Sequence, residues 1–393
     1  MPRFDSPAAG PQEASGPKNG EASPAVTNPV PPVGRRCVLR LMSALPLSAA
    51  GPMASFNPNS RFAAADPPPI PTAPFPNGAT LLVAGPDSGR LAEWGRLIAP
   101  GLSRPLPPGT GVRLTTAGGA DGVTGANQFD TRAAPDGRTL LFAPGEAVLA
   151  WLVGDPRAKF DVGDWVSVLA GVTPSVVVGR IAAQTLQAGH PTRVAATGIE
   201  GPDLAVLLGV ELLGARAVPA FGVTQASLPA AIGHGSVDVA LVRGERVPAR
   251  VAALAAAGAR PLFSIGAADQ TGAPARDAAF PGLPSIEELY TSLHGRRPAG
   301  PLYRGWRAAA VASRLTFGLI LADLTPAAMV ALWRRAGIDA ATGLDFGLAA
   351  AAATLQPLPG PAANSGTAPI AADMAALLAL RQWLNSRFNW HPV

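Results

Sequence analysis

Four histidines and one cysteine in 393 residues leave little material for acid–base, thiol or metal chemistry. His190, His234, His294 and His391 are isolated from one another, and Cys37 lies close to the N-terminus. What the chain offers repeatedly is glycine beside hydroxyl and acidic residues. Three such segments stand out: Gly85-Pro86-Asp87-Ser88-Gly89-Arg90, Ala117-Gly118-Gly119-Ala120-Asp121-Gly122-Val123-Thr124-Gly125, and Thr197-Gly198-Ile199-Glu200-Gly201-Pro202-Asp203. Glycine lets the backbone come close to a ligand, and the free N–H groups at a helix start favour an anion. Ser88, Thr116, Thr124 and Thr197 can add hydroxyl donors. The plainer reading is that these are ordinary strand-to-helix turns in which Asp87 and Asp121 cap the backbone. A hydrolase would use Ser88 with Asp87 or Asp121. Ser88 stands one place too late for the G-x-S-x-G elbow, and no histidine is near it in sequence. No phosphate-loop lysine, dinucleotide fingerprint, cofactor motif or metal-ligand spacing is present.

Each glycine segment follows a short apolar run and precedes helical spacing. Ala79-Thr80-Leu81-Leu82-Val83 reads as a buried strand, and Leu91, Trp94, Leu97 and Ile98 as one face of a helix. Strands are expected at Val112-Arg113-Leu114 and Thr139-Leu140-Leu141-Phe142-Ala143. Two apolar runs within 166–178 flank Thr173-Pro174, a suitable crossing between lobes. The pattern then repeats: strand at 193–196, helix at 204–213, strand at 217–219, helix from Ser227, strand at 237–241, helix at 247–257, strand at 261–265. Strands alternating with helices predict an α/β chain with mainly parallel sheets flanked by helices. Further on come an apolar run over 306–321, a helix over 325–336 with Thr325 as N-cap and Pro326 at its first position, and a last helix over 371–388.

The formal charge of +5 is not a nucleic-acid footprint. Residues 1–65 hold Arg3, Lys18, Arg35, Arg36, Arg40 and Arg61 against Asp5, Glu13 and Glu21, so most of the excess sits in the first sixth of the chain. This segment reads as a disordered leader with an export signal: Arg35-Arg36, a modest apolar stretch over 41–50, and Ala63-Ala64-Ala65 as a cleavage site. It resembles a twin-arginine signal, with Gly34 and Val38 as departures. Residues 66–77 form a Pro-rich linker. With Cys37 in the leader, the remaining chain has no thiol for a disulfide or a metal.

The order of several segments is similar to the substrate-binding proteins of tripartite tricarboxylate transporters, the Bug family. The most specific is Ala134-Pro135-Asp136-Gly137-Arg138-Thr139-Leu140-Leu141, following the glycines at 118–125. Phe160-Asp161, Pro219-Ala220-Phe221-Gly222, Gly235-Ser236-Val237-Asp238-Val239 and Phe280-Pro281-Gly282-Leu283-Pro284 continue the likeness over about residues 79–340. The resemblance implies a two-lobed type II periplasmic binding protein fold, with lobe one from 78–173 plus 264–393 and lobe two from 174–263. It implies a small organic acid, usually a carboxylate, held in the interlobe cleft by Gly85, Asp87, Ser88, Gly89, Gly118, Gly119, Asp121, Gly122, Thr197, Gly198 and Gly201. Phe221 replaces the family's tyrosine, and Arg243, just after Asp238-Val239, stands near a polar ligand contact.

The departures lie in the loops. Asp87 falls inside the first loop's glycine run, and Glu200, Pro202 and Asp203 replace small hydroxyl residues in the third. Two added acids repel a carboxylate unless they point away. The expected protein is therefore a periplasmic, monomeric, non-enzymatic solute-binding protein without cofactor or nucleic-acid partner, delivering its ligand to a membrane permease or a sensor. The alternative is a diverged module that has changed or lost its ligand and acts through a protein partner.

Overall fold

The computed structural model describes residues 75, 78–187, 189–269 and 272–391. The leader, its paired arginines and all of the linker except Phe75 lie outside these residues. Residues 66–393 form one compact unit. Two sheets organise it. The first contains β1 (Ala79–Val83), β2 (Val112–Thr116), β3 (Thr139–Ala143) and β4 (Trp165–Val172). The second contains β5 (Ser175–Gly179), β6 (Pro191–Ala196), β7 (Arg216–Phe221), β8 (Val239–Arg243) and β9 (Arg260–Ser264). A two-stranded hairpin follows, β10 (Ala267–Ala268) and β11 (Pro274–Ala275), and then β12 (Leu315–Ala322) and β13 (Gln356–Pro359) complete the first sheet.

Spatial order in the first sheet is β13-β4-β12-β3-β1-β2, and in the second β7-β6-β8-β5-β9. Both sheets are mixed, and the reason is in the connections. Where a helix joins successive strands, they run parallel: β2, β1 and β3 in the first sheet, β7, β6 and β8 in the second. The strands that carry the chain between sheets, β4, β5, β9 and β12, join antiparallel. The parallel expectation thus describes three strands in each sheet. The apolar run over 306–321 is divided between a helix, Pro301–Arg314, and β12, with no loop between them.

One N-cap expectation is corrected. The helix starts at Ala327, with Pro326 extended at the cap (φ −54°, ψ 138°). Thr325 Oγ1 is buried without a partner. Its methyl packs where Gly137 turns through a positive φ, so packing rather than capping orients the side chain. The last helix, Met374–Phe388, opens at Asp373, whose carboxylate accepts from Ala376 N–H at 2.8 Å.

Two apolar cores are confined to one sheet each, one around Trp94, Phe142, Phe317, Trp333 and Phe346, the other around Ile232, Val237 and Val242. A third core spans both sheets. In it the helix Leu204–Leu212, buried over its first seven residues, lies against the helix Pro301–Arg314. Trp306 donates its indole N–H to the Ala205 carbonyl at 2.9 Å, and Trp383 and Arg387 of the last helix reach the Glu211 carboxylate at 2.9 and 2.5 Å. Because the helix Leu204–Leu212 meets β6 and β7 of its sheet with one face and the helix Pro301–Arg314 with the other, its sequence is apolar all round.

The crossing between sheets is tightly held. Thr173 N–H donates to the Arg314 carbonyl at 3.0 Å, and Arg314 Nε returns a bond to the Thr173 carbonyl at 3.2 Å. Arg314 also pairs with Asp277 at 3.1 Å, both side chains buried. On the return crossing, Ile265 N–H donates to the Ser175 carbonyl.

Candidate functional site

The first loop runs from the end of β1 to the helix Arg90–Ser103. Gly89 caps that helix through its backbone and closes a turn onto the Pro86 carbonyl at 2.9 Å. Asp87 is turned outward onto Arg96 of the same helix, at 2.5 Å. Ser88 is exposed, and among the described residues no histidine or carboxylate hydrogen-bonds its hydroxyl, the contact that activates a serine nucleophile. Gly85 is buried. Arg90, which begins the helix, is the residue that reaches furthest: Nε and Nη2 pair with both carboxylate oxygens of Glu245, at 2.5 and 3.1 Å. Hydrogen bonding to Glu245 holds the Arg90 guanidinium above its usual pKa.

The second loop leads from β2 to the helix Val123–Arg132. Gly118 (φ +90°) and Gly122 (φ +76°) are both left-handed, and a Cβ on either would meet Thr124 or Pro144 at 2.5 Å. These two glycines answer a local backbone requirement. Asp121 accepts from Val123 N–H at 3.2 Å and pairs with Arg157 at 2.8 Å, so its charge is consumed at the helix start. Gly119 is exposed beside it.

The third loop joins β6 to the helix Leu204–Leu212. Asp203 Oδ2 accepts from both the N–H and the hydroxyl of Thr197, at 2.8 and 2.9 Å, and so ties the loop's two ends together. Gly198 makes room for the exposed Glu200 side chain, whose carboxylate oxygens lie 2.9 Å from where a Cβ would sit. Gly201 stands near the Thr197 hydroxyl. At the neighbouring strand ends, Phe221 closes β7 and is 59% exposed, and Arg243 closes β8. Arg243 Nη1 lies 3.2 Å from Glu146, which sits in the first turn of the helix Gly145–Val153 on the first sheet.

Of the ligand-binding residues predicted from sequence, two, Thr197 and Arg243, share one cavity, and Asp203, expected to disfavour a carboxylate, joins them there. Thr197, Asp203 and Arg243 line a space of about 200 Å³ at the C-terminal ends of β6, β7 and β8, together with Thr224 and Gln225. Strand C-termini of open α/β sheets are where ligands bind. The residues of the first and second loops do not line this cavity. Thr224, Gln225, Glu146, Arg90 and Glu245 are absent from the sequence-based selection. Thr224 and Gln225 follow β7 directly, so the strand-end rule finds them; the acids and Arg90 become visible only once the two sheets face each other. Two ion pairs join the first sheet's helices to the loop after β8: Arg90–Glu245 and Glu146–Arg243. Arg246, left-handed at φ +55°, adds a backbone bond from its N–H to the Ala353 carbonyl at 2.9 Å.

No protein-family model matches the chain, and no curated protein matches it. Solved structures do. A TctC solute-binding protein from Polaromonas, without ligand, is 17% identical and covers 77% of this chain and 99% of its own, with a TM-score of 0.57. This chain has the fold of a solute-binding protein. MatC from Rhodopseudomonas palustris with bound malate (17% identity, 78% and 97% covered, TM-score 0.43) and the periplasmic binding protein BugD (14%, 79% and 97%, TM-score 0.44) superimpose less well. In that two-lobed fold each lobe is built on one sheet, and the two ion pairs described above run from the helices on one sheet to the residues at the end of β8 on the other. Among the described residues no helix is long and apolar enough to cross a membrane.

Proposed function

We propose that this chain is a non-enzymatic periplasmic solute-binding protein of the tripartite tricarboxylate transporter kind, which holds a small organic acid where its lobes meet and presents it to a membrane permease. The observation that carries this reading is Arg243. Its guanidinium stands on the wall of the strand-end cavity, within reach of Glu146 of the opposite lobe. A ligand carboxylate arriving in the cavity meets the same donors that the Glu146 carboxylate meets now. Thr197 of the third loop stands on the same wall, whereas the first and second loops lie outside this cavity.

Thermal unfolding in the presence of small carboxylic acids, with and without amino groups, tests the reading. A ligand at 100 times its dissociation constant stabilises by about 2.7 kcal/mol, which moves the midpoint by several degrees. Arg243→Gln removes that shift. If no acid in the panel moves the melting temperature, the binding reading falls.

A second reading has one observation in its favour. Arg90 and Arg243 are both engaged by the protein's own carboxylates. A module that has lost its ligand and acts through a protein partner keeps such pairs closed, and predicts no shift with any acid and none from Arg243→Gln.

A further inference from the structure

The cavity at the ends of β6, β7 and β8 carries charges of both signs on its walls. We infer that it selects a small zwitterion, an α-amino acid or a molecule that likewise bears an ammonium beside its carboxylate, with Asp203 receiving the ammonium and Arg243 the carboxylate. The inference rests on the solute-binding reading and narrows its ligand class.

Asp203 is only 9% exposed and lies on the cavity wall. Its Oδ2 is occupied by two bonds from Thr197, while Oδ1 receives no hydrogen bond from a described residue. Among the described residues Asp203 has no arginine, lysine or histidine partner at ion-pair distance. By contrast Asp155 and Asp121 are engaged by Arg157, and Asp277 by Arg314. A buried carboxylate that faces a cavity without a cation repels any ligand bearing only negative charge. Arg243 on the same wall excludes a ligand bearing only positive charge. A molecule with both charges satisfies both walls. The volume of about 200 Å³ holds the equivalent of about six waters, which suits a small amino acid. Thr224 and Gln225 supply the remaining polar contacts, and Leu228 and Leu241 supply an apolar wall for an aliphatic side chain.

The experiment compares matched pairs on the full chain by calorimetry and thermal shift: L-alanine with propionate, L-leucine with 4-methylpentanoate, L-aspartate with succinate. The expected result is at least one pair in which the amino acid binds tenfold or more tighter than its partner lacking the ammonium. Asp203→Asn keeps an acceptor for Thr197 and should shrink that preference to threefold or less. Equal or tighter binding of the acids without ammonium overturns the zwitterion inference and leaves the solute-binding reading standing. Absence of binding by either member of every pair overturns both. Should Asp203→Asn fail to fold, the pairwise preference of the unaltered chain decides the matter alone.

Discussion

At the scale of single residues, the decisive ones are charges placed out of water. Arg314 is buried, and burial pulls its guanidinium below the usual pKa while Asp277 opposes the shift. Its four bonds, three with Thr173 and one with Asp277, fasten the segment between β4 and β5 to the start of β12. Removing one partner of such a pair strands the other, at a cost of about 3–5 kcal/mol. Asp277→Asn should therefore lower stability by about that amount in urea unfolding; a change under 1 kcal/mol would show that the pair is not a structural fastener. Residues of this kind were poorly legible in sequence. Nothing in the spacing of Thr173, Asp277 and Arg314 announces a contact, since bonds across 37 and 141 residues leave no local pattern. Arg243 was legible by its place after a strand. Asp203 was legible as an acid where small hydroxyl residues were expected, but not as a buried carboxylate on a cavity wall.

Elements were more readable. The apolar runs and the turn residues marked the strands of the chain up to β9 and several of the helices, among them Arg90–Ser103, Ala327–Ala341 and Met374–Phe388, because burial leaves a pattern in the sequence. Other elements were not picked out, among them β10, β11, β13 and the helices Ile286–His294 and Leu344–Ala353. The helix Gly145–Val153 and the helix Leu204–Leu212 are apolar all round, so periodicity alone does not tell which face meets what; the first was missed, and the second was found through the Gly-Pro-Asp before it. The division of the 306–321 run into helix and strand was also hidden, because both halves are buried. Gly145 shows how closely these elements pack. A Cβ there would lie 1.9 Å from the Ala312 carbonyl oxygen and 2.8 Å from that of Leu315. Backbone cannot yield as a side chain does, so Gly145→Ala should destabilise by about 1–3 kcal/mol or more. Because this helix also carries Glu146, the same substitution should displace the Glu146–Arg243 contact and change acid binding as well as the melting temperature. A variant with unaltered stability would show that the two helices slide apart freely.

For the whole molecule, the question is how the lobes are held. One joint is the fastened crossing at Thr173 and Arg314, another the shared core around Trp306 and the helix Leu204–Leu212. The third is polar and partly exposed: Arg90–Glu245 and Glu146–Arg243 across the cleft. Partly exposed pairs are screened by salt and individually weak, so this joint is the one that opens first. Glu245→Gln should raise the radius of gyration of the ligand-free chain in small-angle scattering, as should high salt on the unaltered chain, and a bound acid should reverse both. Superimposable scattering curves for the variant and the unaltered chain would show that the pair does not hold the lobes.

By itself the sequence determined the α/β class, the positions of the strands up to β9 and the glycine turns after several of them, and the scarcity of groups for catalysis, all of which depend on neighbours within a few residues. Only the tertiary structure decided that both sheets are mixed and that the second-loop glycines serve their own turn. It also placed Thr197, Asp203 and Arg243 around one cavity and set Glu146 and Glu245 opposite the cleft arginines. Those outcomes depend on which distant segments come within a few ångströms of each other, and electrostatic pairing and packing act over that distance in space without regard to separation along the chain.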